Sequence, residues 1–198
     1  MAGTGDLNDS GCVDNGNTDY DISEIRQWLN SNAGIGEWWY PQNKFSTVGY
    51  AHSGSSHLKN WMNTRSGFMY DLDSDFLNFV IQSDYPCCSG GFSVNHTPLT
   101  EYTVRDYFTM PTSVEVGIKA SADVLTIGQC LELFANSDNT KRMKYTGINT
   151  NSSIGWNLRD PKKFSSATNA LRFVTANGTI DGTAAANEIR LAFMCTLA

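Results

Sequence analysis

Side chains that could carry chemistry are scattered through this chain rather than gathered into a recognisable set. Glu24, Glu37, Glu101, Glu115, Glu132 and Glu188 stand among many aspartates. Two carboxylates across a cleft suffice for glycoside hydrolysis, so carboxylates at unrelated spacings leave that reaction open without pointing to it. No GxSxG, no HExxH and no cysteine at a known spacing from a histidine occurs. His52 and His57 are five positions apart, which fits neither metal spacing on a helix nor a triad, and they read as loop histidines. Asp6, Asn8, Asp9, Asp14, Asp19 and Asp21 invite a calcium site, but in no EF-hand order, and solvated loop residues are the plainer reading. Gly90-Gly91 is too short for a phosphate-binding loop. Cys12, Cys87, Cys88, Cys130 and Cys195 are odd in number and lack CxxC or zinc spacing. Reduced, buried or half-buried thiols are expected, with one or two long-range disulfides as the alternative. Trp38-Trp39-Tyr40 before Pro41 could stack on a sugar, or could pack as scaffold over the preceding helix. The residues therefore point to no enzyme, no cofactor and no metal.

Recognition is the chemistry better suited to the C-terminal stretch. Three β-prone runs, Ile154–Arg159, Ala170–Thr175 and Glu188–Leu197, are separated by polar loops. Asn177-Gly178 is a hairpin signal, because tight turns need φ > 0 and these residues tolerate it. Along 189–194, Ile189, Leu191 and Phe193 alternate with Arg190, Ala192 and Met194, and the first set is the core candidate. Between the runs lie Asp160, Lys162, Lys163, Ser165, Ser166, Thr168 and Asn169, then Asp181 to Asn187. A rigid β frame carrying polar loops suits ligand binding.

The elements that would hold this frame are short. Residues 1–19 read as an irregular arm. Tyr20–Asn32 predicts a helix capped by Asp21, with Ile22, Ile25, Trp28 and Leu29 on one face and Gly34 as its left-handed stop. Asp73 or Ser74 caps a second helix through Phe76, Leu77, Val80 and Ile81. Tyr85–Pro98 reads as a turn-rich insertion and Leu99–Met110 as extended. Thr112-Ser-Val-Glu115 has capping-box spacing for a short helix ending at Gly117, and Gly128–Phe134 predicts another. Lys141, Arg142 and Lys144 form a small basic cluster expected to be solvated.

Composition narrows the classes. A net charge of −6 argues against nucleic acid and against anionic membrane surfaces. No apolar run approaches the ~20 residues that span a bilayer, so no membrane insertion is expected. Met1–Asp21 is polar and acidic, which predicts no signal peptide in this chain and export, if any, by a removed segment or a carrier such as a phage particle. With 12% aromatic and 17% charged residues and abundant Asn, Ser, Thr and Gly, the chain is similar in profile to extracellular or virion β-rich proteins. Its length suits one domain, residues 1–198, with no internal repeat.

Several motifs in order carry a family resemblance over roughly residues 20–194. Asp21-Ile-Ser-Glu-Ile-Arg-Gln-Trp-Leu-Asn30 and Gly36-Glu-Trp-Trp39 resemble the "IRxWLN…WW" opening of a bacterial and phage domain family of unassigned function. Gly67-Phe68 with Asp75-Phe-Leu77, then Phe108-Thr-Met-Pro-Thr-Ser-Val-Glu-Val-Gly117, follow in that family's order. Trp156-Asn-Leu-Arg159, Gly178 and Ile189-Arg190 are similar to its close, with one residue more between Trp and Arg than is usual. The resemblance implies a C-type-lectin-like fold of the formylglycine-generating-enzyme subgroup, as in the variable proteins of diversity-generating retroelements. The usual first strand, which would pair with the C-terminal strand, has no counterpart in Met1–Asp19. The catalytic cysteine pair of true formylglycine-generating enzymes is not recognisable, so that activity is not carried over.

The resemblance implies that Trp156, Leu158, Arg159, Gly178, Ile189, Arg190 and Ala192 are framework. It places a ligand-binding, diversified surface on Asn149, Asn151, Asn157, Asp160, Lys162, Lys163, Phe164, Ser166, Thr168 and Asn169. The resulting expectation is an α+β chain with a C-type-lectin-like fold, short helices around a small, mostly antiparallel sheet with long irregular loops. It would recognise a protein or glycan ligand on a target surface, acting at a virion, cell-surface or extracellular location, with room for an oligomer. The alternatives are a structural capsid or fibre decoration and a carbohydrate-binding or carbohydrate-active domain.

Overall fold

A computed structural model describes residues 20, 23–37, 39, 63–88, 101–118, 127–135, 138–145, 152–161, 170–184 and 190–198. These residues form an α+β fold of few short helices and small sheets. Helix α1 is Glu24–Leu29. Its cap is Ser23, not the expected Asp21, which lies outside the described residues: Ser23 Oγ accepts from Arg26 N at 3.2 Å and donates to the Tyr20 carbonyl at 2.9 Å. Asn30 ends the helix. Its Nδ2 donates to the Arg26 and Phe108 carbonyls at 3.0 and 2.9 Å, and its Oδ1 accepts from Tyr107 N and Phe108 N at 2.9 and 3.0 Å. One side chain thus satisfies a frayed helix end and fixes it to the chain seventy-eight residues on. The left-handed glycine after this helix is Gly36, not Gly34.

The second predicted helix is cut to one turn. Asp73 Oδ1 accepts from Asp75 N and Phe76 N and starts α2, Ser74–Leu77. Val80–Ile81 is strand β1, not helix, and pairs antiparallel with β11, Met194–Leu197. β-Branched side chains favour the pleated partner over another helical turn. The predicted turn at 85–88 is also corrected. Ser83–Cys88 is β2, in register with β3, Glu101–Asp106, over all six residues. Alternation explains it: Tyr85 and Cys87 are buried on β2, opposite Val104 and Tyr102 of β3. After β4, Phe108–Thr109, the 112–117 segment makes its capping box but only a turn, with Gly117 at φ 80°. Glu132–Phe134 is a single 3-10 turn, and Asn139–Arg142 is α3.

The C-terminal frame comprises β5 (Lys144–Tyr145), β6 (Ser153–Ile154), β7 (Trp156–Pro161), β8 (Ala170–Val174), β9 (Ile180–Ala184) and β10 (Arg190–Leu191). Four of these make a sheet in the order β10-β7-β8-β9, in which only β10 and β7 run parallel. The Asn177-Gly178 hairpin joins β8 to β9, with Val174 opposite Ile180. The register of β7 against β8 slips between Asn157 and Pro161, where the resemblance has its extra residue. Residues 190–194 are not one alternating strand: β10 and β11 are separate, so Leu191, Met194 and Cys195 pack on one core while Ala192 packs on the other and Phe193 is half exposed; Ile189 lies outside the described residues.

Two apolar clusters make up most of the core. The first joins Ile25, Leu29, Val80, Tyr85, Val104, Phe108, Met110 and Leu171. The second joins Val116, Phe134, Trp156, Leu158 and Val174. Trp39 is buried against Ala33 and Trp28, so it serves as scaffold and not as an exposed stacking surface. Trp38 and Tyr40 lie outside the described residues.

Candidate functional site

The strand register fixes where the chain enters and leaves the C-terminal sheet. Pro161 on β7 faces Leu171 on β8, and Ala170 on β8 faces Ala184 on β9. The chain therefore leaves β7, enters β8 and leaves β9 at one end of the sheet, which brings Pro161, Ala170 and Ala184 to that end, while β10 starts at the opposite end, where Arg190 faces Trp156. The 175–179 turn is at the other end, where Trp156 faces Val174. The β5–β6 hairpin, Tyr145 opposite Ser153, leads directly into that other end. Lys162, Lys163, Phe164, Ser166, Thr168 and Asn169 follow Pro161 and precede Ala170 in the sequence, and Asn149 and Asn151 fall between Tyr145 and Ser153; all eight lie outside the described residues.

Asn157 and Asp160 correct the expectation. Both are buried, at 1% and 2% exposure, and cannot display side chains on a surface. Asn157 sits in a central strand between Leu191 and Phe173. Asp160 is a structural acceptor: Oδ1 takes the Ser113 N–H at 2.8 Å and Oδ2 takes the Ser113 hydroxyl at 2.7 Å.

Next to it, Arg159 ties the sheet to the rest of the fold. Its Nη2 and Nη1 donate to Glu115 Oε1 and Oε2 at 2.7 and 3.0 Å. Its Nε and Nη2 donate to the Pro86 carbonyl on β2 at 3.1 and 3.0 Å, and Nη1 also donates to the Met110 carbonyl. Glu115 is itself held by the capping box, accepting from Thr112 N at 2.8 Å while Thr112 Oγ1 accepts from Glu115 N at 3.2 Å. The stem of the 162–169 segment is therefore fixed by two consecutive residues whose polar atoms are spent inside the protein. A rigid stem lets a loop present its side chains at little ordering cost.

A second buried pair locks α1 to β3, with Arg26 Nε and Nη2 donating to Asp106 Oδ2 and Oδ1 at 2.7 and 2.9 Å. Arg142 is also buried, which corrects the expected solvated basic cluster at that residue, whereas Lys141 and Lys144 are exposed. Its Nε donates to the Gly178 carbonyl at 2.8 Å and its carbonyl accepts from Trp156 Nε1 at 2.9 Å. Burial pushes the Cys87 thiol up to about 12, so it stays protonated and weakly nucleophilic at neutral pH. Cys87, Cys88, Cys130 and Cys195 are not joined in disulfides. Among the described residues no three His, Cys, Asp or Glu side chains converge as a metal site, and no helix is long and apolar enough to cross a membrane.

Asp160 makes a testable pH signature. Burial raises its pKa above the ordinary 3.8, against the lowering effect of the Ser113 hydrogen bonds and of the nearby Arg159 charge. A raised folded-state pKa means that its contribution to stability is fully present below the unfolded carboxylate's pKa and is lost as pH rises through the folded value. Asp160→Asn cannot titrate and keeps an acceptor for the Ser113 N–H. Its Tm relative to wild type should therefore rise as pH is taken from about 4 to 7. A flat or opposite slope in paired thermal melts would show that the hydrogen bonds outweigh burial.

What sequence reasoning missed is the pairing of Glu115 with Arg159, forty-four positions apart. The capping-box spacing flagged Glu115 and the family resemblance flagged Arg159, but nothing local links them. No curated protein and no solved structure matches this chain. The profile of a family described as a domain of unknown function (DUF6273) matches residues 8–197, nearly the whole length, and the chain belongs to that family.

Proposed function

We propose that this protein is a ligand- or receptor-recognition protein that presents a binding surface at the Pro161–Ala170–Ala184 end of its C-terminal sheet, on a C-type-lectin-like scaffold. The observation that carries the reading is the stem: Arg159 and Asp160 are locked inward immediately before the 162–169 segment, and the register brings Ala184, where the 185–189 segment begins, to the same end of the sheet. Side chains between such anchors can change without loss of the frame, which is what a diversified binding surface needs. Lys162, Lys163, Phe164, Ser166, Thr168 and Asn169 form the proposed surface, with the aromatic ring as anchor and the polar groups as adaptable contacts. The partner is a protein or glycan on a target surface, met at a virion or cell surface.

The reading has a genetic and a biochemical test. A near-copy of the DNA encoding Asn149–Ala198, differing chiefly at adenines and close to a reverse-transcriptase gene, is expected beside the coding sequence. Its absence removes diversification and leaves a fixed binding domain. Once glycan and cell-surface protein panels supply a ligand, Lys162→Ala, Phe164→Ala and Asn169→Ala should each weaken binding, Phe164→Ala by on the order of tenfold or more, with Tm unchanged. Unchanged affinity in all three would place the site elsewhere.

A further inference from the structure

We draw no further inference here: the strongest candidate, the exposed apolar patch around Phe79, Ile81 and Leu197 at the β1–β11 edge, carries nothing because no feature of the structure shows what covers it.

Discussion

Gly178→Ala should be among the most damaging single-methyl changes in this chain, costing on the order of 4 kcal/mol or preventing folding. Two effects add. Gly178 has φ +80°, a backbone conformation that a side chain makes costly, and a Cβ there would lie 1.8 Å from the Asn139 carbonyl oxygen and 2.6 Å from its carbon. Neither side can retreat. The Gly178 carbonyl accepts from Arg142 Nε at 2.8 Å, and its N–H donates to the Thr175 carbonyl at 3.0 Å. Arg142 Nη2 in turn donates to Asn139 Oδ1 at 2.6 Å, so one guanidinium ties the Gly178 carbonyl to the Asn139 side chain. Gly36→Ala separates the two effects. Gly36 has φ +87° but nothing within 4 Å of the added Cβ, so only the conformational cost remains, about 1–2 kcal/mol. Urea unfolding of both variants checks this. If their losses agree within 1 kcal/mol, the close approach to Asn139 is wrong.

Gly178 also shows how far the sequence could be read. Asn177-Gly178 announced the hairpin because its constraint is local: a turn needs φ > 0 and these residues supply it. The Thr112–Glu115 capping box was legible for the same reason, and both of its hydrogen bonds form. Failures arose where a distant partner decides the outcome. The spacing of Phe76, Leu77, Val80 and Ile81 suits a helix, but Val80 and Ile81 find Leu197 and Thr196 across a sheet. Pro86-Cys87-Cys88 resembles a turn until β3 supplies a partner strand of matching register. Asn157 and Asp160 are placed on a surface by the family resemblance alone, and the polar character of Asn and Asp does not contradict it. Their burial depends on flanking strands and on Ser113, forty-seven positions from Asp160. Arg142 was misread as solvated for the same reason, since its acceptors Gly178 and Val116 come from other parts of the chain. In the candidate site, the loop's polar character was readable, but that Pro161, Ala170 and Ala184 share one end of the sheet follows only from strand register.

Arg159→Met should cost about 3–5 kcal/mol, a large share of the roughly 5–15 kcal/mol that holds a domain folded. Arg159 is 1% exposed and Glu115 4%, so removing the cation strands a carboxylate where water cannot reach it easily. The Pro86 and Met110 carbonyls lose a donor in the same change. Arg159→Lys should fall between the two: an ammonium can pair with Glu115 as a point charge, but it lacks the planar fork that serves the carboxylate and both carbonyls together. Glu115→Gln keeps an acceptor for Thr112 N and leaves Arg159 uncompensated, so it too should be strongly destabilising. The double variant Glu115→Gln/Arg159→Met should lose less than the two single losses combined, because the second change removes the charge that the first left unpaired. Equilibrium denaturation of all four proteins closes the cycle. Strict additivity would mean that the two groups do not sense each other, contrary to their 2.7 Å contact. Arg159→Lys carries the functional consequence. Because Arg159 fixes the stem that leads into residue 162, a variant that stays folded but loosens that stem should bind its ligand more weakly even though no contact residue has changed. Unaltered affinity in a folded Arg159→Lys protein would separate the clamp from the binding surface and confine its role to stability.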